Sequence, residues 1–245
     1  MSLLTRLLFP PTCVACKRLL DWYPKRNWSE NLLCTACKSA WESELLDTCG
    51  VCSKRVTECE CATEEMVRAK CVCFRKLVFY RHGKGDRVQN RLIFHIKKYR
   101  DLHTPRFLAK ALLPALEEIA ADRDRVVLTY VPRSLSARLE YGTDQARALA
   151  EALGELSGFS VQSLIKRRIA RGHEQKELSA RARLSNAEAI YSPVKNVDIK
   201  GKCVVLVDDI VTTGATASAC VRLLRRAGAK EVFCMAVASD DVNKN

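Results

Sequence analysis

Four apolar residues, Val204-Val-Leu-Val207, run directly into two adjacent carboxylates, Asp208 and Asp209, and then into Ile-Val-Thr-Thr-Gly-Ala-Thr216. An apolar run of that length reads as a strand buried on both faces. When such a strand ends in charge and passes at once into a helix, it reads as one unit of an open α/β sheet. Ligands of those sheets sit at the carboxyl ends of the strands. Thr212, Thr213, Gly214, Ala215 and Thr216 supply hydroxyls and a glycine that lets backbone amides close on an anion. The helix that follows, from about Ala215 to Ala227 and ended by Gly228, aims its dipole at the same point. Carboxylates beside that cradle would repel a bare phosphate. The pairing suits a sugar phosphate, with hydroxyls on the acids, phosphate in the loop and a divalent ion nearby.

The rest of the chain after residue 70 agrees with a mostly parallel sheet. Val72–Tyr80 alternates as a strand. Asp86–Arg100 places Val88, Leu92, Ile96 and Tyr99 on one helical face, with Arg87, Arg91 and Lys98 outside it. Thr104-Pro105 looks like a cap with proline at the first helical position, opening a helix to about Ala121 in which Pro114 is a potential kink. Val126–Val131 is a short β-branched strand, and Thr143–Leu156 a helix with Ala146, Leu149, Ala150 and Leu153 on one face. Lys166–Leu184 is charged and weakly patterned. Strands at Cys203–Val207 and Val232–Ala238 complete the alternation, which implies a sheet covered on both faces. No internal repeat is visible.

Cysteine usage separates the front of the chain from the back. Ten of the thirteen cysteines lie between Cys13 and Cys73. Met1–Pro10 is too short for a signal peptide and nothing else exports the chain, so a cytoplasmic location is expected. In a reducing compartment, clustered Cys-x-x-Cys pairs read as metal ligands rather than disulfides. Cys13, Cys16, Cys34 and Cys37 form two pairs separated by seventeen residues. This spacing suits a closed, structural Zn²⁺ site with no position left for water. Cys49, Cys52, Cys59 and Cys61 form a looser second quartet. Cys71 and Cys73 read as small apolar residues of a strand, and Cys203, Cys220 and Cys234 as core. The expected division is a double zinc-ribbon-like module at 1–70 and an α/β domain at 71–245.

The formal charge of +13 is unevenly spread. Residues 1–70 hold ten Lys/Arg against nine Asp/Glu, and the remaining 175 hold 31 against 19, a net of +12. Two four-thiolate zinc sites would each add about −2 to the front. The basic surface therefore belongs to the back of the chain and favours phosphate-bearing partners. Between Arg75 and Arg106, ten Lys/Arg are interleaved with Phe79, Tyr80, Phe94 and Tyr99, a pattern that single-strand binders use for stacking. Arg87, Arg91, Lys97, Lys98, Arg167 and Arg168 are the candidate nucleic-acid contacts; a solvated charged face is the alternative. No stretch approaches the roughly 20 apolar residues of a membrane span.

Over all thirteen positions, the segment at 204–216 resembles the signature of type I phosphoribosyltransferases. That resemblance implies a Rossmann-like fold, with Asp208 and Asp209 on the ribose hydroxyls and as the catalytic pair. It assigns Thr212, Thr213, Gly214, Ala215 and Thr216 to the 5′-phosphate of phosphoribosyl pyrophosphate (PRPP), with Mg²⁺ accompanying the ligand. The front cysteine pairs, Val131-Pro132-Arg133, Gln145-Ala146, Gln175, Arg183 and Asn186 extend the likeness to the ComF/GntX family over nearly the whole chain. Members are phosphoribosyltransferase-like proteins with an N-terminal zinc finger, linked to single-stranded DNA in natural transformation. The family pattern implies a pyrophosphate loop at Arg133, Ser134 and the backbone to Ala137, and a flexible closing loop near Lys166–Arg183. Where members carry Arg-Gly-Phe-Asn-Gln-Ala, this chain has Tyr141-Gly142-Thr143-Asp144-Gln145-Ala146; Arg138 is a candidate substitute for the missing arginine. Three functions follow from the resemblance. The chain is a PRPP-binding, DNA-handling protein working with competence-machinery proteins, or an active phosphoribosyltransferase, or a PRPP-responsive nucleic-acid-binding regulator.

Overall fold

The computed structural model describes residues 10–20, 32–83, 87–99, 101–121, 123, 125–142, 144–168, 190–195 and 197–240. Its centre is a five-stranded, all-parallel sheet. The strands are β1 (Phe74–Tyr80), β2 (Val126–Tyr130), β3 (Ser160–Val161), β6 (Cys203–Val211) and β7 (Glu231–Asp240), in the order β1-β7-β6-β2-β3. A separate antiparallel pair joins β4 (Ile165–Arg167) to β5 (Tyr191–Pro193).

Seven helices lie among the described residues: α1 (Thr35–Glu44), α2 (Glu64–Arg68), α3 (Val88–Lys98), α4 (His103–Ala120), α5 (Leu135–Tyr141), α6 (Gln145–Ser157) and α7 (Ala215–Arg226). The period-2 alternation of the strands divides the core in two. Cys203, Val205, Val207, Phe233, Met235 and Val237 face one side, where α3, α4 and α6 cover them. Val204, Leu206, Val232, Cys234 and Ala236 face the other, against α7 and Met66 of α2. The long apolar runs of β6 and β7 are the signature of a sheet buried on both faces.

Several boundaries differ from the sequence reading. β6 continues to Val211, so the acid pair lies inside the strand and still pairs with β7 rather than following it. α4 opens at His103, not at Thr104-Pro105. Leu102 is the N-cap residue, and Asp101 just before it accepts hydrogen bonds from the backbone N–H of His103 (2.8 Å) and Thr104 (3.1 Å), satisfying two first-turn amides. The helix runs on through Pro114. Tyr99 leaves the helical face at the C-cap of α3 in an extended conformation and is exposed. Phe79 is in turn buried and offers no stacking face. Helix α5 occupies a segment read only as loop. Gln175, Arg183, Asn186 and most of the charged Lys166–Leu184 segment lie outside the described residues.

The cysteine-rich front is packed directly on the sheet. Cys13, Ala15, Leu20, Leu33 and Trp41 belong to the same apolar cluster as α3, α4 and α6, and the Trp41 ring lies 5.9 Å from that of Phe107. Polar contacts reinforce the seam. Glu44 of α1 accepts from Arg87 at 2.8 Å and from Gln89 at 2.6 Å, and Asp47 accepts from Arg81 at 2.7 Å. Arg75 of β1 reaches both Glu60 (3.5 Å) and Glu118 of α4 (2.6 Å).

Candidate functional site

The carboxyl end of β6 forms the floor of a cavity of about 310 Å³. Asp208 and Asp209 stand there side by side. The Asp208 side chain accepts from the backbone N–H of Asp209 and the Asp209 side chain from that of Ile210, both at 2.8 Å, which fixes each carboxylate to its own backbone. Burial first, and then the charge of Asp209, push the Asp208 carboxyl well above the usual carboxylate range. Lys97, from the last turn of α3, pairs with Asp209 at 3.4 Å. Gln145 donates to the Lys97 carbonyl at 3.2 Å and holds that turn in place.

Beyond the acids the chain turns through Thr212-Thr213-Gly214 and enters α7. Gly214 is the N-cap, at φ +79°, and offers no side chain of its own; Thr213 Oγ1 accepts from the Ala215 N–H at 3.4 Å, and the start of α7 borders the cavity. The glycine is required twice over. Its φ lies in the left-handed region, which any side chain adopts at a cost. A Cβ there would also meet Thr63 Oγ1 at 2.1 Å and Met66 Cγ at 3.2 Å. The back of the loop at 212–214 therefore rests on the N-terminus of α2, where Thr63 accepts from the Met66 N–H.

Arg133 and Arg167 also line the cavity, together with Asp144, Gln145 and Tyr191. Asp144 caps α6 through the Arg147 N–H and accepts from the Arg133 N–H at 3.2 Å, so it fixes the start of the loop after β2. Burial raises the Asp144 carboxyl, and those amide hydrogen bonds work against the rise. Burial likewise pushes the Tyr191 hydroxyl up to about 12, so it is a neutral donor at neutral pH.

Thr212, Thr213, Gly214, Ala215 and Thr216 gather at one end of the cavity with both acids. Ser134 lies outside the lining, its hydroxyl 3.2 Å from that of Ser136. The six basic candidates separate. Lys97 and Arg167 line the cavity, Arg87 is held by Glu44, and Lys98 lies 5.4 Å over the Phe94 ring. Arg91 lines a second hollow, and Arg168 is exposed beside β4. Tyr191, Asp144 and Thr63 had no signal in the sequence, because only the fold brings them to the loop.

The cysteines form two quartets, Cys13/Cys16/Cys34/Cys37 and Cys49/Cys52/Cys59/Cys61, each with its four sulfurs within 4.8 Å of one another. A tetrahedral site with Zn–S bonds of about 2.3 Å places its sulfurs about 3.8 Å apart, so each quartet could hold such an ion. The knuckle is built the same way both times, a local repeat that the sequence did not reveal. Lys17 and Ser53 take positive φ, their amides bond Cys13 O and Cys49 O at 2.8 Å, and bridges Thr12↔Leu19 and Thr48↔Arg55 close the turns. Burial raises the first thiol of each knuckle, but the knuckle amides outweigh it and bring Cys13 and Cys49 down to about 7. In the same quartets burial pushes Cys16, Cys37, Cys59 and Cys61 up, so only the first thiol of each knuckle is held ready for a metal. Cys71 and Cys73 are buried and lie outside both quartets. No described helix is long and apolar enough to cross a membrane.

Residues 146–244 match the phosphoribosyl transferase domain family. Competence protein ComFC of Streptococcus pneumoniae is 26% identical over 210 residues, covering 83% of this chain and 86% of that protein. The ribose-phosphate pyrophosphokinase of Pyrococcus furiosus is 32% identical over 143 residues, 56% of this chain and 42% of the enzyme, so the chain spans less than half of that relative's length. Among solved structures, phosphoribosylpyrophosphate synthetase from Mycobacterium smegmatis is 26% identical and aligns 54% of this chain with 33% of that one, at a TM-score of 0.34. Strands β1 and β2 precede the matched range but complete its parallel sheet. The chain is thus similar to a competence protein of the ComF type over most of its length, and its C-terminal part to phosphoribosyl transferase domains.

Proposed function

We propose that the cavity binds PRPP. The observation that carries this reading is the run from Asp208 and Asp209 into a glycine-pivoted helix start, all within one cavity. Asp208 and Asp209 accept the ribose hydroxyls, and the amides and hydroxyls of Thr212–Thr216 hold the 5′-phosphate. Arg133, Lys97 and Arg167 face the pyrophosphate, Lys97 exchanging its contact with Asp209 for the more highly charged ligand. Asp208 and Asp209 would hold a Mg²⁺ that screens the pyrophosphate charge; adjacent carboxylates, with no sulfur among the described lining residues, suit a hard cation. At about 310 Å³ the cavity is at the small end of ligand sites, which run from about 300 to 1,000 Å³.

We further propose that residues 1–70 are a module held by two structural Zn²⁺ ions on a domain at 71–245. On this reading the protein works in the cytoplasm, handling single-stranded DNA during uptake, as its likeness to a competence protein suggests. An active phosphoribosyltransferase is the second reading, kept open by the acid pair that such transfer uses.

Calorimetric titration of the zinc-loaded protein with PRPP and Mg²⁺ tests the first claim. Micromolar affinity that disappears in Asp208→Asn/Asp209→Asn is the expected result. No heat from the folded wild type overturns it. Pyrophosphate release that depends on an added nucleobase or amine would favour the transferase reading over the DNA-handling one.

A further inference from the structure

A second hollow of about 500 Å³ opens on the other side of α3 from the acid pair. Its walls come from the first cysteine knuckle, the end of β1 and the outer face of α3, and include Lys17, Tyr80, Arg91, Phe94, His95 and Tyr99. Phe94 is 58% exposed and Tyr99 44%, unusual for large aromatics on a chain with ample core. Each exposed ring carries a cation over it. Lys98 Nζ lies 5.4 Å from the Phe94 centroid and Lys17 Nζ 5.1 Å from that of Tyr99. The His95 ring stacks on Tyr99 at 4.6 Å, and its two nitrogens approach Lys17 Nζ (3.4 Å) and Asp101 (3.3 Å). Among the described residues, the lining contains no carboxylate.

We infer that this hollow is a seat for single-stranded nucleic acid, with bases stacked on Phe94 and Tyr99 and phosphates on Lys17, Arg91 and Lys98. The inference deepens the DNA-handling reading and rests on it. A protein partner fits the surface less well, because the centre of a protein interface is depleted of charge, whereas here the cations sit on the aromatic faces. A base has a π-face for each ring, and a phosphate draws each lysine off it. That combination of stacking platform and cationic track is how strands are bound without a sequence code. Duplex is excluded by the same geometry, since its bases are already stacked. Helix α3 thus divides its labour: Lys97 turns toward Asp209, while Arg91, Phe94 and His95 turn toward the hollow.

The test is fluorescence anisotropy of labelled oligothymidylate, oligouridylate and a duplex, with full-length zinc-loaded protein at several salt concentrations. Phe94→Ala/Tyr99→Ala is expected to weaken single-strand affinity by about tenfold or more. Lys17→Glu/Arg91→Glu should weaken it further and flatten the salt slope by about 0.7 for each phosphate that is no longer neutralised. Both variants should bind PRPP as the wild type does, which shows that they are folded. Equal affinity for the two oligonucleotides assigns the seat to single strands in general; a preference for one identifies the physiological strand. If wild type binds strands and both variants bind them equally well, the seat is elsewhere and the DNA-handling reading survives. If wild type binds no strand even at low salt, that reading falls and takes the seat with it. A wild-type dimer that Phe94→Ala disperses would overturn the inference in favour of contact between copies.

Discussion

The two cysteine quartets share a knuckle and differ in what they stand on. The first packs Cys13 and Ala15 into the core beneath α3 and α4, and Lys17 of its knuckle borders the outer hollow. The second packs Cys49, Cys59 and Val56 against Phe79 on the edge strand. From Cys61 the chain needs only Ala62 to reach Thr63, whose side chain lies against Gly214. A buried cation also distinguishes them. Lys76, 1% exposed, donates to Cys59 Sγ at 3.2 Å and to the Cys61 carbonyl at 3.1 Å. Among the described residues, no buried lysine takes that place beside the first quartet. The cysteine-rich front thus performs two mechanical tasks: its first half shapes a surface, and its second half braces the loop at Gly214 from behind.

The sharpest way to break this comparison is to remove each quartet in turn. Cys49→Ala/Cys52→Ala is expected to lose one of two zinc ions by metal analysis and to weaken PRPP binding at least tenfold, because the chain leading to Thr63 loses its anchor. Cys13→Ala/Cys16→Ala should also lose one zinc and melt at a lower temperature, while any folded protein keeps PRPP affinity within about twofold. Structural zinc contributes folding energy directly, so both variants should be much less stable. Equal losses of PRPP affinity in the two variants would remove the distinction.

Lys76→Met tests the buried cation. Four thiolates on Zn²⁺ carry about −2, and deleting one partner of a buried charge pair costs about 3–5 kcal/mol. Denaturant unfolding should report a loss in that range. A chelator should strip the second zinc before the first, which reverses if Lys76 only fills space.

Gly214→Ala should cost about 1–2 kcal/mol from its left-handed φ alone, plus the overlap with Thr63. It should also abolish measurable PRPP binding by displacing the loop. Adding Thr63→Ala removes the Oγ1 overlap and leaves a 3.1 Å approach to Cβ. Partial recovery of stability in the double variant measures the brace directly. No recovery would leave the backbone angle as the whole effect.

What could be read from the residues alone follows the same division. The strand–loop–helix run was legible because strand, acids, glycine and helix start are contiguous at 204–216, and each residue type answers a local physical need. The quartets were legible by spacing, and the sheet by its apolar runs. What stayed hidden depends on non-local contact. Lys97 looked like one more surface cation on α3, and only folding carries it to Asp209. Tyr99 fitted the apolar face of α3 by periodicity, yet the helix ends just before it and turns it outward. Thr63 and Gly214 are distant in sequence, so no pattern could announce that one needs the other small. Phe79 and Phe94 look alike as residues; burial separates them, the first against the second quartet and the second on the outer hollow.

A last prediction asks whether the brace keeps the acid pair under strain. Burial and the neighbouring Asp209 raise the folded-state pKa of Asp208 above its unfolded value near 3.9. The unfolded chain therefore releases the Asp208 proton more readily. Folding stability from this group falls as pH rises from about 4 through the raised folded-state value. Asp208→Asn removes the charge while keeping the shape, so it should gain about 1 kcal/mol at neutral pH, lose the gain in acid, and fail to bind PRPP. Placed in the Cys49→Ala/Cys52→Ala background, the same substitution should gain less, because a loop without its brace admits water and lessens the burial that raises the Asp208 carboxyl. Denaturant unfolding of the four proteins at pH 5 and pH 7 closes the double-mutant cycle. Strict additivity would mean that the second quartet holds the loop's position without holding its strain.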